Sequence, residues 1–112
     1  MEISVEKKRG VAIVSLMDGH LDASNAEEFR NAMAPVLEQE PHVVFDLCAV
    51  GFIDSSGLGA LLSCLRQLNS RGGELKLCGM TKPVQVLFEL VRMNRVFEIF
   101  SGQDEAIQAF AE

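Results

Sequence analysis

The sequence predicts an α/β domain: a mixed β-sheet of about five strands packed with about four helices. Three observations carry that reading. Short runs rich in Val, Ile and Phe alternate with longer stretches whose apolar residues recur every three or four positions, as strands joined by crossover helices do. A length of 112 residues suits one domain, read here as residues 1–112, and leaves no room for two cores. Hydrophobic residues make up 48% of the chain, enough for a substantial interior and against bulk disorder.

The elements follow in the order β-β-α-β-α-β-α-β-α. Ile3 and Val5 alternate with polar neighbours, as in a half-exposed edge strand, and Arg9-Gly10 turns the chain into the more apolar run 11–16, so residues 2–17 read as a β-hairpin. Asp18-Gly19-His20 breaks it. Leu21-Asp22 leads into a helix whose start is marked by Ser24 and, three residues on, Glu27, the pattern of a capping box. Phe29, Ala32, Met33, Val36 and Leu37 share one face, and Pro35 within them predicts a kink or a weakening over residues 31–35. Pro41-His42 opens a strand over 43–47 that is apolar on both faces except at Asp46, the pattern of a strand in the middle of a covered sheet. Leu58, Leu61, Leu62, Leu65 and Leu68 then mark a helix to about Ser70, which Arg71-Gly72-Gly73 ends. Residues 74–79 alternate as a strand. Thr81 and Pro83 open a third helix bearing Val84, Leu87, Phe88 and Val91. Residues 96–100 are a last strand, and Ser101 and Asp104 cap a short helix with Ala106, Ile107 and Phe110. The third helix also carries Val86, Leu90 and Met93 outside its stripe; deep burial is the plain reading and a partner-binding face the sharper one.

Charge and composition narrow the function classes. The formal net charge is −6 and the ten basic residues are scattered, Lys7, Lys8 and Arg9 being the densest group, which argues against nucleic acid as a partner. The N-terminus lacks a charged-then-apolar signal design, and no apolar stretch approaches the roughly 20 residues that span a bilayer, so a cytoplasmic chain away from membranes is expected. Cys48, Cys64 and Cys78 are odd in number and widely spaced, which reads as buried structural thiols in a reducing compartment. Cys64, on the less apolar side of its helix, is expected to be the most reactive.

The most informative segment is Phe52-Ile53-Asp54-Ser55-Ser56-Gly57-Leu58-Gly59, which places two hydroxyls where a strand becomes a helix. A helix N-terminus leaves backbone N–H groups unsatisfied and concentrates positive dipole, so a serine there can cap the helix, act as a nucleophile or carry a phosphate. The nucleophile elbow G-x-S-x-G fails upstream, where Ile53 precedes Ser55 by two and Asp54 precedes Ser56 by two. The only histidines, His20 and His42, read as solvated surface residues without an orienting carboxylate. No phosphate-cradling loop is present, since no lysine follows Gly57 or Gly59, and both glycines are better explained by tight strand–helix packing. Asp18, Asp22, Asp46 and Asp54 would bind a metal only if the fold gathered them; neither a metal nor a cofactor is expected. Asp46, a carboxylate in an apolar strand, is read as tying down the loop that follows it.

The stretch VVFDLCAVGFIDSSGLG (residues 43–59) resembles the STAS domain family, as do GHLDASNAEEFRNAM (19–33) and, more loosely, LKLCGMTKPVQVLFELVRMNRVFEIF (75–100). The resemblance spans nearly the whole chain and implies a single STAS-like domain of the kind found in anti-sigma factor antagonists of bacterial partner-switching systems. It implies that Ser55, directly after Asp54, is the phosphorylated residue, with Asp22 as the loop aspartate beside it. Asp22, Asp54, Ser55, Ser56 and Gly57 would then form the partner-binding surface, without catalytic residues. The implied partners are an anti-sigma factor that is also an ATP-binding serine kinase, and a PP2C-type phosphatase that reverses the step. Ser56 is a second candidate for modification. The other reading is a STAS scaffold or subunit of a larger assembly, such as a membrane transporter, without phosphorylation.

Overall fold

A computed structural model describes residues 1–111. The chain begins with an antiparallel hairpin of β1 (Ile3–Lys8) and β2 (Val11–Leu16). Arg9 and Gly10 both take left-handed conformations at φ 52° and 79°, the two-residue turn whose twist matches that of the flanking strands. After β3 (His20–Leu21) come α1 (Ala26–Gln39), β4 (His42–Asp46), β5 (Phe52–Ile53), α2 (Ser55–Ser70), β6 (Glu74–Cys78), α3 (Lys82–Leu90), a 3-10 turn (Met93–Arg95), β7 (Glu98–Phe100) and α4 (Gln103–Phe110). The main sheet has the order β1-β2-β4-β6-β7, with β1 antiparallel and the rest parallel, so five strands and four helices form the mixed α/β fold.

Strand alternation divides the core in two. Ala12, Val14, Val43, Phe45, Leu75 and Leu77 face α1, α2 and α3, whose Phe29, Met33, Leu61, Leu68, Val84 and Phe88 are buried against them. Val11, Ile13, Val44 and Cys78 project to the opposite face, which α4 covers through Ala106 and Ile107. Asp46 also lies on that side. Its Oδ1 accepts the Cys48 N–H at 3.0 Å, holding the loop as anticipated, and its Oδ2 accepts from Gln103 Nε2 at 2.7 Å, which fastens α4 as well.

Several local expectations change. β3 and β5 form a separate two-stranded parallel ladder, pairing His20 with Phe52 and Leu21 with Ile53; two residues each are too few to give a period. Ser24 and Glu27 form no capping box: α1 starts at Ala26, and the Ser24 hydroxyl donates to Asp22 Oδ1 at 2.5 Å. Asp22, two residues back, is the nearer acceptor. α1 runs unbroken through Pro35 to Gln39, because Pro35 is on the exposed side, where water reaches the carbonyl it frees, while buried Met33 and Leu37 hold the helix to the sheet. Ser101 and Asp104 do not cap α4, whose N-cap is Gly102. The last strand begins only at Glu98, since residues 93–95 form the 3-10 turn.

Leu90 is 76% exposed and Val86 is exposed, against the plain reading of deep burial, while Met93 is half-buried; Val91, expected on the apolar stripe, is exposed too. Gly57 is packed as tightly as its position suggested, whereas a Cβ on Gly59 would meet nothing closer than Arg30 at 3.7 Å. Cys64 is buried, against its expected place as the most reactive of the three: burial pushes its thiol, like that of Cys78, up to about 12, and Cys48 is the exposed cysteine. No described helix is long and apolar enough to cross a membrane.

Candidate functional site

The β3–β5 ladder sets the loop after β2 beside the start of α2. The Gly19 carbonyl accepts the Gly51 N–H at 2.8 Å, and the Leu21 carbonyl accepts the Asp54 N–H at 3.4 Å. α2 comes so close to β3 that a Cβ on residue 57 would lie 2.0 Å from the Leu21 carbonyl oxygen, so only glycine fits there. Buried Gly57 therefore presents no side chain to a partner, contrary to its expected place on the binding surface; its part is to permit this contact.

Asp54 is the N-cap of α2. Its Oδ1 accepts the Gly57 N–H at 2.9 Å, and its Oδ2 reaches across to accept the Ala23 N–H at 3.1 Å. One carboxylate thus ties the helix start to the loop that carries Asp22. Ser55 is the first residue of α2 and is exposed; Ser56, one position on, is half-buried. Neither serine caps the helix, because Asp54 occupies that role. Among the described residues no acceptor engages the N–H groups of Ser55 and Ser56, which leaves them with the positive end of the helix dipole at this corner.

Asp22 Oδ1 accepts the Ser24 N–H at 3.0 Å and the Ser24 hydroxyl, and lies 3.2 Å from His20 Nδ1. The Ser24 hydroxyl bond is the main cause that holds the Asp22 carboxyl below its ordinary value, against opposing desolvation. Asp18 is likewise depressed, chiefly by the Glu2 N–H it accepts. Asn25, 6% exposed, knits the loop from inside, donating to the His20 carbonyl at 2.9 Å and accepting the Asp22 N–H at 2.9 Å. Its role was not legible in sequence, because both partners lie upstream of the helix whose N-cap position it holds. Phe52, 55% exposed on β5 two residues before Asp54, was also missed as a surface feature.

The structure sets the Asp22 carboxylate 3.2 Å from His20 Nδ1, a neighbour the sequence did not suggest, but that buried nitrogen makes no hydrogen bond among the described residues. No hydrogen bond among them joins His20 to Ser55 or Ser56, and His42 stacks on Phe110 with ring centroids 4.7 Å apart. Asp18 and Asp22 share the β2–α1 loop and Asp54 faces it, while Asp46 is taken up by Cys48 and Gln103. No group of three or more His, Cys, Asp or Glu among the described residues is placed to hold a metal ion.

A mixed sheet with crossover helices, and an exposed serine at a carboxylate-framed strand-to-helix corner, define a small α/β domain of one particular kind. The chain belongs to the STAS domain family, whose sequence profile matches residues 2–106. It is 31% identical over 109 residues to the anti-sigma F factor antagonist of Paenibacillus polymyxa, covering 96% of this chain and 92% of that one. It is also 31% identical over 108 residues to the anti-sigma-B factor antagonist of Listeria monocytogenes, covering 94% and 95% of the two chains. The crystal structure of an anti-sigma factor antagonist from Mycobacterium paratuberculosis superimposes with a TM-score of 0.88 at 25% identity, covering 99% of this chain and 94% of that one.

Proposed function

We propose that this chain is an anti-sigma factor antagonist, a cytoplasmic regulator and not an enzyme, whose unphosphorylated form binds an anti-sigma factor that is also its serine kinase. Phosphorylation of Ser55 blocks that binding, and a PP2C-type phosphatase restores it. The observation that carries the reading is the placement of Ser55: exposed, first in α2, and framed by Asp54 and the Asp22 loop. The names of relatives that align along almost the full chain supply the partner class.

The chemistry of the corner suits a reversible anion. A phosphate adds about −1.5 to −2 charges at neutral pH. On Ser55 it would meet the open N–H groups and dipole of α2, so the domain tolerates it without rearrangement. A partner docking over the same corner would have to bury that dianion beside two carboxylates. Burying an unpaired charge costs several kcal/mol, which corresponds to a loss of about a hundredfold or more in affinity.

Incubation with the cognate kinase and ATP followed by phosphopeptide mapping should place the phosphate on Ser55, and Ser55→Ala should abolish it. Calorimetry with the kinase partner and ADP should show wild type and Ser55→Ala binding alike, Ser55→Asp more weakly and the phosphorylated protein most weakly. Phosphate retained in Ser55→Ala but lost in Ser56→Ala would move the switch to Ser56. Equal affinity across all forms would leave a scaffold role in its place.

A further inference from the structure

α3 and the 3-10 turn after it present a surface that the fold does not use. Val86, Leu90, Val91 and Val96 are 42%, 76%, 42% and 47% exposed, while Val84 and Phe88 on the inner side of the helix are buried. Lys82, Arg92 and Arg95 flank these residues. Most other cations are engaged: Lys7, Lys8, Arg9 and Lys76 in ion pairs, and Arg71 on the Leu37 carbonyl. Among the described residues, Arg30, Arg66, Lys82, Arg92 and Arg95 have no such partner, and three of these five fall on this one segment of an acidic chain. Glu89 is the only carboxylate within residues 82–97.

Arg92 adds an independent observation. It takes the left-handed conformation at φ 63° just beyond the end of α3, a position where glycine is the least strained residue. Its backbone thus disfavours a side chain, and among the described residues the guanidinium makes no bond that would offset the strain.

We propose that this surface docks an acidic amphipathic helix of a partner protein, its apolar side laid on Val86, Leu90, Val91 and Val96 and its carboxylates facing Lys82, Arg92 and Arg95. A second copy of this chain seated symmetrically on the patch would oppose like cations. An anionic membrane would set its extended negative surface against the acidic domain beyond the patch, net charge −6, whereas a single helix touches only the patch and its cations. An acidic helix meets both the exposed apolar residues and the free cations. The surface lies on a different helix from Ser55, so the proposal stands apart from the phosphorylation reading.

The probe is a peptide of about 20 residues, long enough to hold a helix, with Leu on one face and Glu on the other, titrated into isotope-labelled protein at low salt. Amide shift changes should cluster within residues 82–97, weaken as salt is raised, and persist after Ser55→Ala. The pair Arg92→Glu and Arg95→Glu should weaken binding at least about fivefold, whereas Arg66→Glu, an equally free cation off the patch, should not. Arg92→Gly should bind more weakly while melting no lower than wild type, a split that damage to the fold cannot produce. Shift changes centred elsewhere, equal binding of a Lys/Leu peptide, self-association of the protein through these residues, or binding only to anionic vesicles would each overturn the proposal.

Discussion

Ser55 stands one position inside α2, and the cap of that helix belongs to its neighbour Asp54. The two residues therefore separate the proposed phosphorylation from stability. Ser55→Ala removes an exposed hydroxyl with no capping role and should change stability by no more than about 0.5 kcal/mol. Asp54→Ala, which unbinds both the Gly57 and Ala23 N–H groups, should cost about 1–2 kcal/mol; denaturant melts of the two variants, one nearly silent and one not, check this. Asp22 supplies a pH dependence of definite sign. Its folded carboxyl, held below the ordinary value of 3.8 mainly by the Ser24 hydroxyl, stabilises the fold above that value, and the contribution is lost as the pH falls through the depressed one. Ser24→Ala should thus be less stable than wild type at neutral pH and approach it in acid. A gap unchanged between pH 7 and strong acid would refute the link.

At the scale of elements, the long periodic segments were legible and the joints were not. The leucine stripe of α2 and the apolar run of β4 declare themselves, because one face or both faces of each is buried and burial dictates residue type. The candidate site was legible as a string, Asp54-Ser55-Ser56-Gly57, but not as an assembly. β3 and β5 are two residues each, and the partners of Asn25 and of the Asp54 Oδ2 are backbone groups that leave no trace in side-chain pattern. Lys76 is a similar case. It is 2% exposed within β6, and what makes that tolerable is Glu98 on β7 at 2.9 Å and the Phe110 ring of α4 at 4.7 Å, both distant in sequence. The contact of α2 with β3 yields the firmest prediction at this scale. Gly57→Ala drives a methyl into the Leu21 carbonyl, where backbone and not a flexible side chain must yield, so the cost should be about 3 kcal/mol and the Asp22 loop should shift with the helix. Thermal melts and amide shifts of residues 19–25 test it; an unperturbed loop would show that the two elements are not mechanically joined.

Over the whole molecule the two faces of the sheet are unequally guarded. Three helices share the larger cluster, whereas the second face relies on α4 alone, eight residues held by Ala106, Ile107 and the Gln103–Asp46 bond. Native-state hydrogen exchange should find the α4 amides opening at lower free energy than those of β4, buried between both faces; equal protection would mean that α4 unfolds only with the rest. Chain order gives this asymmetry a further consequence when α4 opens. Every strand of the sheet precedes α4 in the chain, so whenever α4 is detached the five strands can stay paired while Val11, Ile13, Val44 and Cys78 face water. The greasy back of the sheet, rather than the corner that carries Ser55, is thus the part an opened α4 offers to chaperones and to neighbouring chains.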